Sequence, residues 1–178
     1  MPAGTAREFE RMLTGGHPNS LGRTVAVVDL VLADRSRLED LLACYRSGDA
    51  VVRLRVSSAL KRVCQAEPDW VVPHLDRLLG EVAAIDQAST QWTLAWLFGA
   101  LEGRLSPTQR RRAEEVMRGN LEASDDWIVQ NTTMATLGAW ARSDAELRAW
   151  LLPRLEAFTR SRRVSVASRA RKLLAALD

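Results

Sequence analysis

One helical pattern of apolar residues recurs about every 38 positions, and this recurrence constrains the fold more than any other feature of the chain. In each copy the positions follow the spacing i, i+4, i+7, i+8, i+11, which places them on one face of an α-helix. The copies are Val52, Val56, Ala59, Leu60, Val63; Thr90, Leu94, Leu97, Phe98, Leu101; Ile128, Thr132, Ala135, Thr136, Ala139; and Val166, Ala170, Leu173, Leu174, Leu177. A further copy, out of step, begins at Thr24. A period of roughly 20 to 50 residues is typical of repeat proteins.

A second set of amphipathic segments lies between these copies. Their apolar positions are Leu38, Leu41, Leu42, Tyr45; Leu75, Leu78, Leu79, Val82; Ala113, Val116, Met117; and Leu151, Leu155, Phe158. Each unit is therefore predicted to contain a helix A, a turn and a helix B. The predicted A helices lie at about 35–47, 69–84, 107–122 and 145–160, and the B helices at about 20–33, 50–66, 88–101, 127–141 and 163–177. No alternating strand pattern competes, so an all-α fold is expected.

Local signals mark where three A helices begin. Residues 36–39 and 143–146 have the form of a capping box, and residues 106–109 add Pro107 at the first helical position. In this motif a side-chain oxygen accepts a hydrogen bond from a helical N–H group that otherwise lacks a partner. We therefore expect Ser36, Ser106 and Ser143 to cap their helices.

Residues 47–53 carry a more specific pattern. They read Ser-Gly-Asp-Ala-Val-Val-Arg and are followed by Val56 and Ala59-Leu60, which resembles the signature of the HEAT-repeat family. In that signature an aspartate and a Val-Arg pair precede an apolar helix B. The later units keep the apolar positions, but Val129-Gln130 stands in place of the Val-Arg pair. The resemblance covers about residues 20–178 as four to five repeats.

This resemblance implies an all-α, right-handed α-solenoid of HEAT-type, armadillo-like helix pairs, and a single domain over residues 1–178. Residues 1–19 are expected to lead into the repeats through a short helix at about 5–13 and a loop. It further implies that Asp49 and Arg53 are structural and connect neighbouring repeats. In HEAT proteins the B helices generally line the concave side.

The face of each B helix opposite its apolar stripe therefore predicts a concave groove. Its candidate partner-binding residues are Leu54, Lys61, Trp92, Trp96, Gln130, Met134, Leu137, Arg171 and Lys172. The predicted B helices carry nine basic residues and one acidic residue, whereas the predicted A helices are almost balanced. We expect a groove that is apolar and aromatic at its centre and basic at both ends.

Four interpretations of this groove follow. Its apolar centre favours a non-enzymatic scaffold or adaptor that binds a protein or peptide partner. Tryptophans between basic flanks favour instead a nucleic-acid-binding protein. HEAT-like-repeat DNA glycosylases are similar in architecture, and in such an enzyme Asp126 and a nearby tryptophan would hold the damaged nucleotide. In the plainest interpretation, neighbouring helices bury the tryptophans, and the last helix is polar only because it ends the solenoid.

The sequence lacks motifs for common catalytic or cofactor chemistry. It has no glycine-rich phosphate loop and no nucleophile elbow, and His17 and His74 lie far apart without other ligands at metal-binding spacing. We therefore expect no cofactor and no metal, and we assign no catalytic residue. Asp126 is expected to cap a B helix. Residues 110–118, which mix arginines with Glu114 and Glu115, are expected to form a solvated charged face.

Cysteine use and hydropathy indicate the compartment. Cys44 and Cys64 do not make a disulfide framework, so reduced thiols in the core of a cytoplasmic protein are expected. No apolar run approaches the roughly 18 residues of a membrane span, and residues 1–13 lack the apolar segment of a secretory signal. The other tryptophans, which are expected to be structural, are Trp70, Trp127, Trp140 and Trp150.

Overall fold

Helices form where the apolar stripes predict them. A computed structural model describes residues 3–17 and 20–177, and these are helical with no strand. The helices are α1 (Ala3–Leu13), α2 (Thr24–Ala33), α3 (Leu38–Ala43), α4 (Ala50–Ala66), α5 (Pro68–Val71), α6 (Leu75–Arg77), α7 (Ala88–Ala100), α8 (Pro107–Ala123), α9 (Trp127–Trp140), α10 (Ala145–Phe158) and α11 (Val164–Leu177). The all-α class is confirmed. Within the described ranges, every helix is too short or too polar to cross a membrane.

Contacts divide the chain into two compact units, one that ends at Thr93 and one that begins at Leu94. In the first unit, α4 packs against α1, α2, α3 and α5. In the second unit, α9 packs against α8, α10 and α11. The boundary falls inside the continuous helix α7. The single domain over residues 1–178 stays a prediction.

The buried stripes agree with the predicted register in α4 and α7 but not in α9. The 38-residue step places Ile128, Thr132 and Ala139 in the core, yet Ala139 is exposed and the other two are only half-buried. The stripe buried instead is Val129, Thr133, Thr136, Leu137 and Trp140, one residue further along. The step from α7 to α9 is therefore 39 residues, from position 90 to position 129. The shifted register puts Leu137 and Trp140 in the buried places predicted for Thr136 and Ala139, which removes more apolar area from water.

Two of the predicted helix caps are displaced. Ser106 and Gln109 form the expected capping box at α8, with both reciprocal hydrogen bonds present. Ser36, however, lies inside a 3-10 turn that is capped by Asp34, whose carboxylate accepts from the Ser36 N–H at 2.9 Å. At α10 the cap is Asp144, one residue after the predicted serine. In both cases a nearby carboxylate replaces the hydroxyl as acceptor, and a charged acceptor forms the stronger bond.

Candidate binding cleft

Arg55 lies in the interior of the first unit, although it sits among the basic residues counted towards the predicted groove. It is only 2% exposed. Its guanidinium donates to backbone carbonyl oxygens at the end of α1 and in the loop that follows. The acceptors are Leu13 O and Gly15 O, both at 2.6 Å, Ser20 O at 3.1 Å and His17 O at 3.2 Å. Arg55 therefore fixes the loop that leads into α2, and its donors are directed at the protein's own backbone.

Glycines allow this loop to approach the guanidinium. Gly15, Gly16 and Gly22 have positive φ angles of 78°, 73° and 53°, a region that other residues rarely adopt. A Cβ atom on Gly22 would lie 2.9 Å from Arg55 Cζ. The loop predicted after the first helix is confirmed at Gly15 and Gly16, while Pro18 and Asn19 lie outside the described residues.

Once the loop is fixed, its far end forms one wall of a cleft of about 410 Å³. The other walls come from one face of α4 and from the first half of α7, all within the first unit. The lining residues are Ser20, Leu21, Leu54, Arg55, Ser58, Lys61, Trp92 and Thr93. Leu54, Lys61 and Trp92 are each half-buried, and Leu21 is 45% exposed. The cleft thus combines apolar side chains with a lysine and two serine hydroxyls.

Three of the nine predicted groove residues therefore meet in this cleft, namely Leu54, Lys61 and Trp92. Leu54 and Trp92 are separated by 38 positions, so they occupy equivalent places in successive copies of the apolar pattern. Lys61 lies two helical turns after Leu54 on the same side of α4. Their proximity follows from the repeat period, which brings equivalent faces of α4 and α7 together.

Gln130, another predicted groove residue, forms a hydrogen bond to the turn that precedes α9. Its side-chain amide donates to Ser124 O at 2.9 Å. Arg53 makes the corresponding bond at α4, where its Nη1 donates to Ser47 O at 2.6 Å. Both residues therefore reach back six positions to the turn before their own helix. Gln130 is for this reason a structural residue, as Arg53 is.

The two turns match in further detail. Asp49 and Asp126 each cap a helix with the carboxylate, accepting at 2.7 Å from Val51 N and at 2.8 Å from Ile128 N. In each turn a serine two residues earlier accepts the aspartate N–H at 3.2 Å. The expected cap at Asp126 is confirmed. Arg53 also donates from Nε to Gln87 Oε1 at 2.7 Å, which connects α4 to the start of α7.

The remaining predicted groove residues differ in how exposed they are. Met134 and Leu137 are fully buried, so the prediction that they line an accessible surface is wrong. The buried stripe of α9 lies one residue further along than predicted, and Leu137 therefore belongs to the core. Trp96 is half-buried on α7, while Arg171 and Lys172 are exposed on α11.

The aromatic residues depart from expectation in two places. Trp127 is 44% exposed at the first turn of α9, although it is expected to be structural. The arginine-rich face of α8 is not simply solvated, because the Arg110 guanidinium lies 3.3 Å from the centre of the buried Trp140 ring. Arg118 and Arg154 lie 4.6 and 3.9 Å from the Trp150 ring. Cation–π contacts of this kind depend on tertiary placement and leave no sequence signal.

The groups of the first unit whose pKa values are shifted lie outside the cleft. Burial raises the pKa of Cys44 to about 12, and Glu10 and Asp40 add to this. Burial also raises the pKa of Tyr45, whose hydroxyl pairs with Ser57 at 3.0 Å. Among the described residues, no group of three or more histidine, cysteine, aspartate or glutamate side chains is placed to hold a metal ion.

Comparison with known proteins adds no relative. Neither a protein family, a curated protein nor a solved structure shows significant similarity to the chain. The function of the protein is therefore inferred from its fold and from the cleft.

Proposed function

We propose that the chain is a HEAT-type α-solenoid that acts as a non-enzymatic scaffold, and that the cleft between α4 and α7 binds a peptide segment of a protein partner. The observation that carries this proposal is the meeting of Leu54, Lys61 and Trp92 around one cleft. The buried, reduced thiols of Cys44 and Cys64 favour a reducing compartment such as the cytoplasm.

The recurring turn supports the repeat architecture. The same serine, aspartate and reach-back contacts precede α4 and α9, which are separated by 77 positions, or two repeats. Before α11, Ser161 Oγ likewise accepts the N–H group two residues later, at 3.2 Å. A contact that returns at the repeat period is expected of a solenoid, in which each repeat is one structural unit.

The composition of the cleft indicates which peptide it would take. Its volume of about 410 Å³ is enough for one or two large side chains, and small binding sites are commonly of this size. Leu54 and Trp92 offer apolar contact to an aliphatic or aromatic anchor. Lys61 offers a positive charge to an acidic neighbour of that anchor. We therefore expect a ligand with an apolar anchor residue beside an aspartate or glutamate.

The proposal is tested by selection from a library of short random peptides displayed on phage. Wild-type protein should enrich peptides with the expected apolar and acidic pair. Trp92→Ala should weaken binding of the selected peptides at least tenfold, because the anchor loses its aromatic contact. Lys61→Glu should weaken peptides with an acidic residue more than peptides in which that residue is changed to glutamine.

Two matched controls separate the cleft from general effects. Trp127→Ala removes an exposed tryptophan outside the cleft, and Arg62→Glu makes the same charge change one position after Lys61, at an exposed residue. Both should bind the selected peptides as wild type does. Absence of enrichment, or equal losses in the cleft and control variants, would reject the proposal.

A further inference from the structure

A second surface, remote in sequence from the cleft, is strongly basic. Between residues 157 and 177 the chain has six basic residues and no acidic residue, namely Arg160, Arg162, Arg163, Arg169, Arg171 and Lys172. All six are exposed. In the described part of the chain, no carboxylate lies within ion-pair distance of any of them, whereas arginines of α8 and α10 do form such pairs. The positive charge of this segment is therefore not neutralised by an ion pair with any described residue.

Part of this charge is arranged along one stripe of α11. Ser165, Ser168, Arg169 and Lys172 together line a shallow pocket of about 190 Å³. Their spacing is i, i+3, i+4, i+7, so they follow one another along one side of the helix. The stripe extends about 10 Å at 1.5 Å per residue. Measured along the axis of a duplex, on which each strand carries a charge about every 3.4 Å, this length corresponds to about three phosphates of one strand.

Neighbouring groups of α9 extend the same surface. Asn131 Nδ2 donates to Trp127 O at 2.9 Å and to Ser165 Oγ at 3.3 Å, which connects the first turn of α9 to the start of the stripe. Trp127 precedes Asn131 by one helical turn and is 44% exposed. The surface thus offers two cations, two hydroxyls and an aromatic ring. Cations and hydroxyls suit phosphate oxygens, and an exposed ring suits the face of an unpaired base.

We infer that the α11 stripe binds the phosphate backbone of a nucleic acid, in an interaction distinct from peptide binding at the cleft. Leu173, Leu174 and Leu177 are wholly or partly covered by the rest of the protein. Val164 at the first position of α11 is 82% exposed, but it stands apart from these leucines, so α11 lacks the continuous apolar face with which helices lie on membranes. Charge complementarity without a continuous apolar face favours nucleic acid over a lipid surface. Recognition of the backbone would be independent of base sequence.

The test is fluorescence anisotropy of labelled single-stranded RNA and double-stranded DNA, titrated with full-length protein at several salt concentrations. Wild type should bind, and its affinity should fall steeply with salt as counterions are released. The double variant Arg169→Glu/Lys172→Glu should bind at least tenfold more weakly at low salt. Its salt slope should fall by about two, since each lost phosphate contact lowers the slope by about one. Trp127→Ala should weaken RNA binding more than DNA binding.

A matched control is the double variant Arg111→Glu/Arg112→Glu, which makes the same charge change at exposed residues of α8. It should lose no more than about threefold, from the altered net charge alone. Circular dichroism should show that all variants keep their helices. Lack of wild-type binding at low salt would overturn the inference, as would equal losses in the two double variants. Binding to phosphatidylserine vesicles with no binding to either nucleic acid would also overturn it.

Discussion

At the scale of single residues, Arg55 is unusual because backbone carbonyl groups alone satisfy its charge among the described contacts. Replacing Arg55 with methionine keeps the length of the side chain but removes these donors. We expect the free energy of unfolding to fall by about 3 kcal/mol, since hydrogen bonds from a charged group contribute more than neutral ones. Urea denaturation measures this change.

The control for Arg55 lies on the same helix. Arg62 is exposed, and Arg62→Met should change stability by no more than about 0.5 kcal/mol. Hydrogen exchange should also show faster exchange in residues 14–22 of Arg55→Met. A loss as small as that of the control would mean that the loop is held by other contacts.

We expect His74 to make the stability of the protein depend on pH. Burial lowers its pKa below 6.5, while Glu39 opposes this, and Arg77 and Arg35 add to it. Because the folded pKa lies below the unfolded one, the stability from neutral His74 is complete above pH 6.5. It is lost as the pH falls through the folded pKa. Urea midpoints at about pH 7 and pH 5.5 should therefore differ less in His74→Gln than in wild type.

The acidic range distinguishes this effect from others. Hydrogen bonding with Arg46 lowers the pKa of Glu81 below 4.5, so this carboxylate keeps its contribution between about pH 7 and 5.5. If His74→Gln keeps the wild-type dependence between about pH 7 and 5.5, another group is responsible for it.

At the scale of elements, we expect alanine substitutions at two helical glycines to have opposite effects on stability. A Cβ atom on Gly99 would lie 2.9 Å from Thr136 Oγ1, which donates to Ala95 O at 2.9 Å, whereas a Cβ on Gly119 meets nothing within 4 Å. Gly99→Ala should destabilise the protein by about 1–3 kcal/mol through crowding. Gly119→Ala should stabilise it by about 0.5–1 kcal/mol through helix propensity. Thermal denaturation of both variants checks the signs, and stabilisation by Gly99→Ala would contradict the close approach.

The elements also indicate what the sequence predicts well. The positions of α4, α7 and α8 follow from apolar periodicity, because burial of one face determines where a helix lies. The starts of α3 and α10 do not, because serine and aspartate compete as caps and the choice depends on local geometry. The prediction of which α9 residues are buried is wrong for a related reason. A fixed step of 38 residues cannot represent a connection that is one residue longer.

At the scale of the whole molecule, the spacing of the apolar pattern explains which site residues the sequence predicts and which it does not. Leu54 and Trp92 were predictable because equivalent positions of neighbouring repeats lie side by side. The fixed 38-residue step predicts an accessible surface at Met134 and Leu137, but the α9 stripe lies one residue further along and both side chains are buried. The burial of Arg55 was not predictable, because its acceptors are backbone carbonyls, which every residue carries. The exposure of Trp127 depends on its position at the first turn of α9.

The two thiols report on opening of the first unit as a whole. Cys44 and Cys64 are 4% and 2% exposed, and the pKa of Cys44 is about 12. Native protein at neutral pH should therefore react very slowly with Ellman's reagent, because the thiolate is the reactive form. Both thiols should react at once in guanidinium chloride. Fast reaction of the native protein would contradict the closed core around α3 and α4.

The contact between Gly22 and Arg55 has a consequence for how this protein changes over generations. A side chain at position 22 would collide with the guanidinium, so it is costly while arginine is present. After Arg55 is lost, the collision disappears and only the strain of the positive φ angle remains. Mutations at these two positions therefore have an order. Lineages that lose the arginine first can acquire larger residues in the loop, and the arginine is then hard to regain.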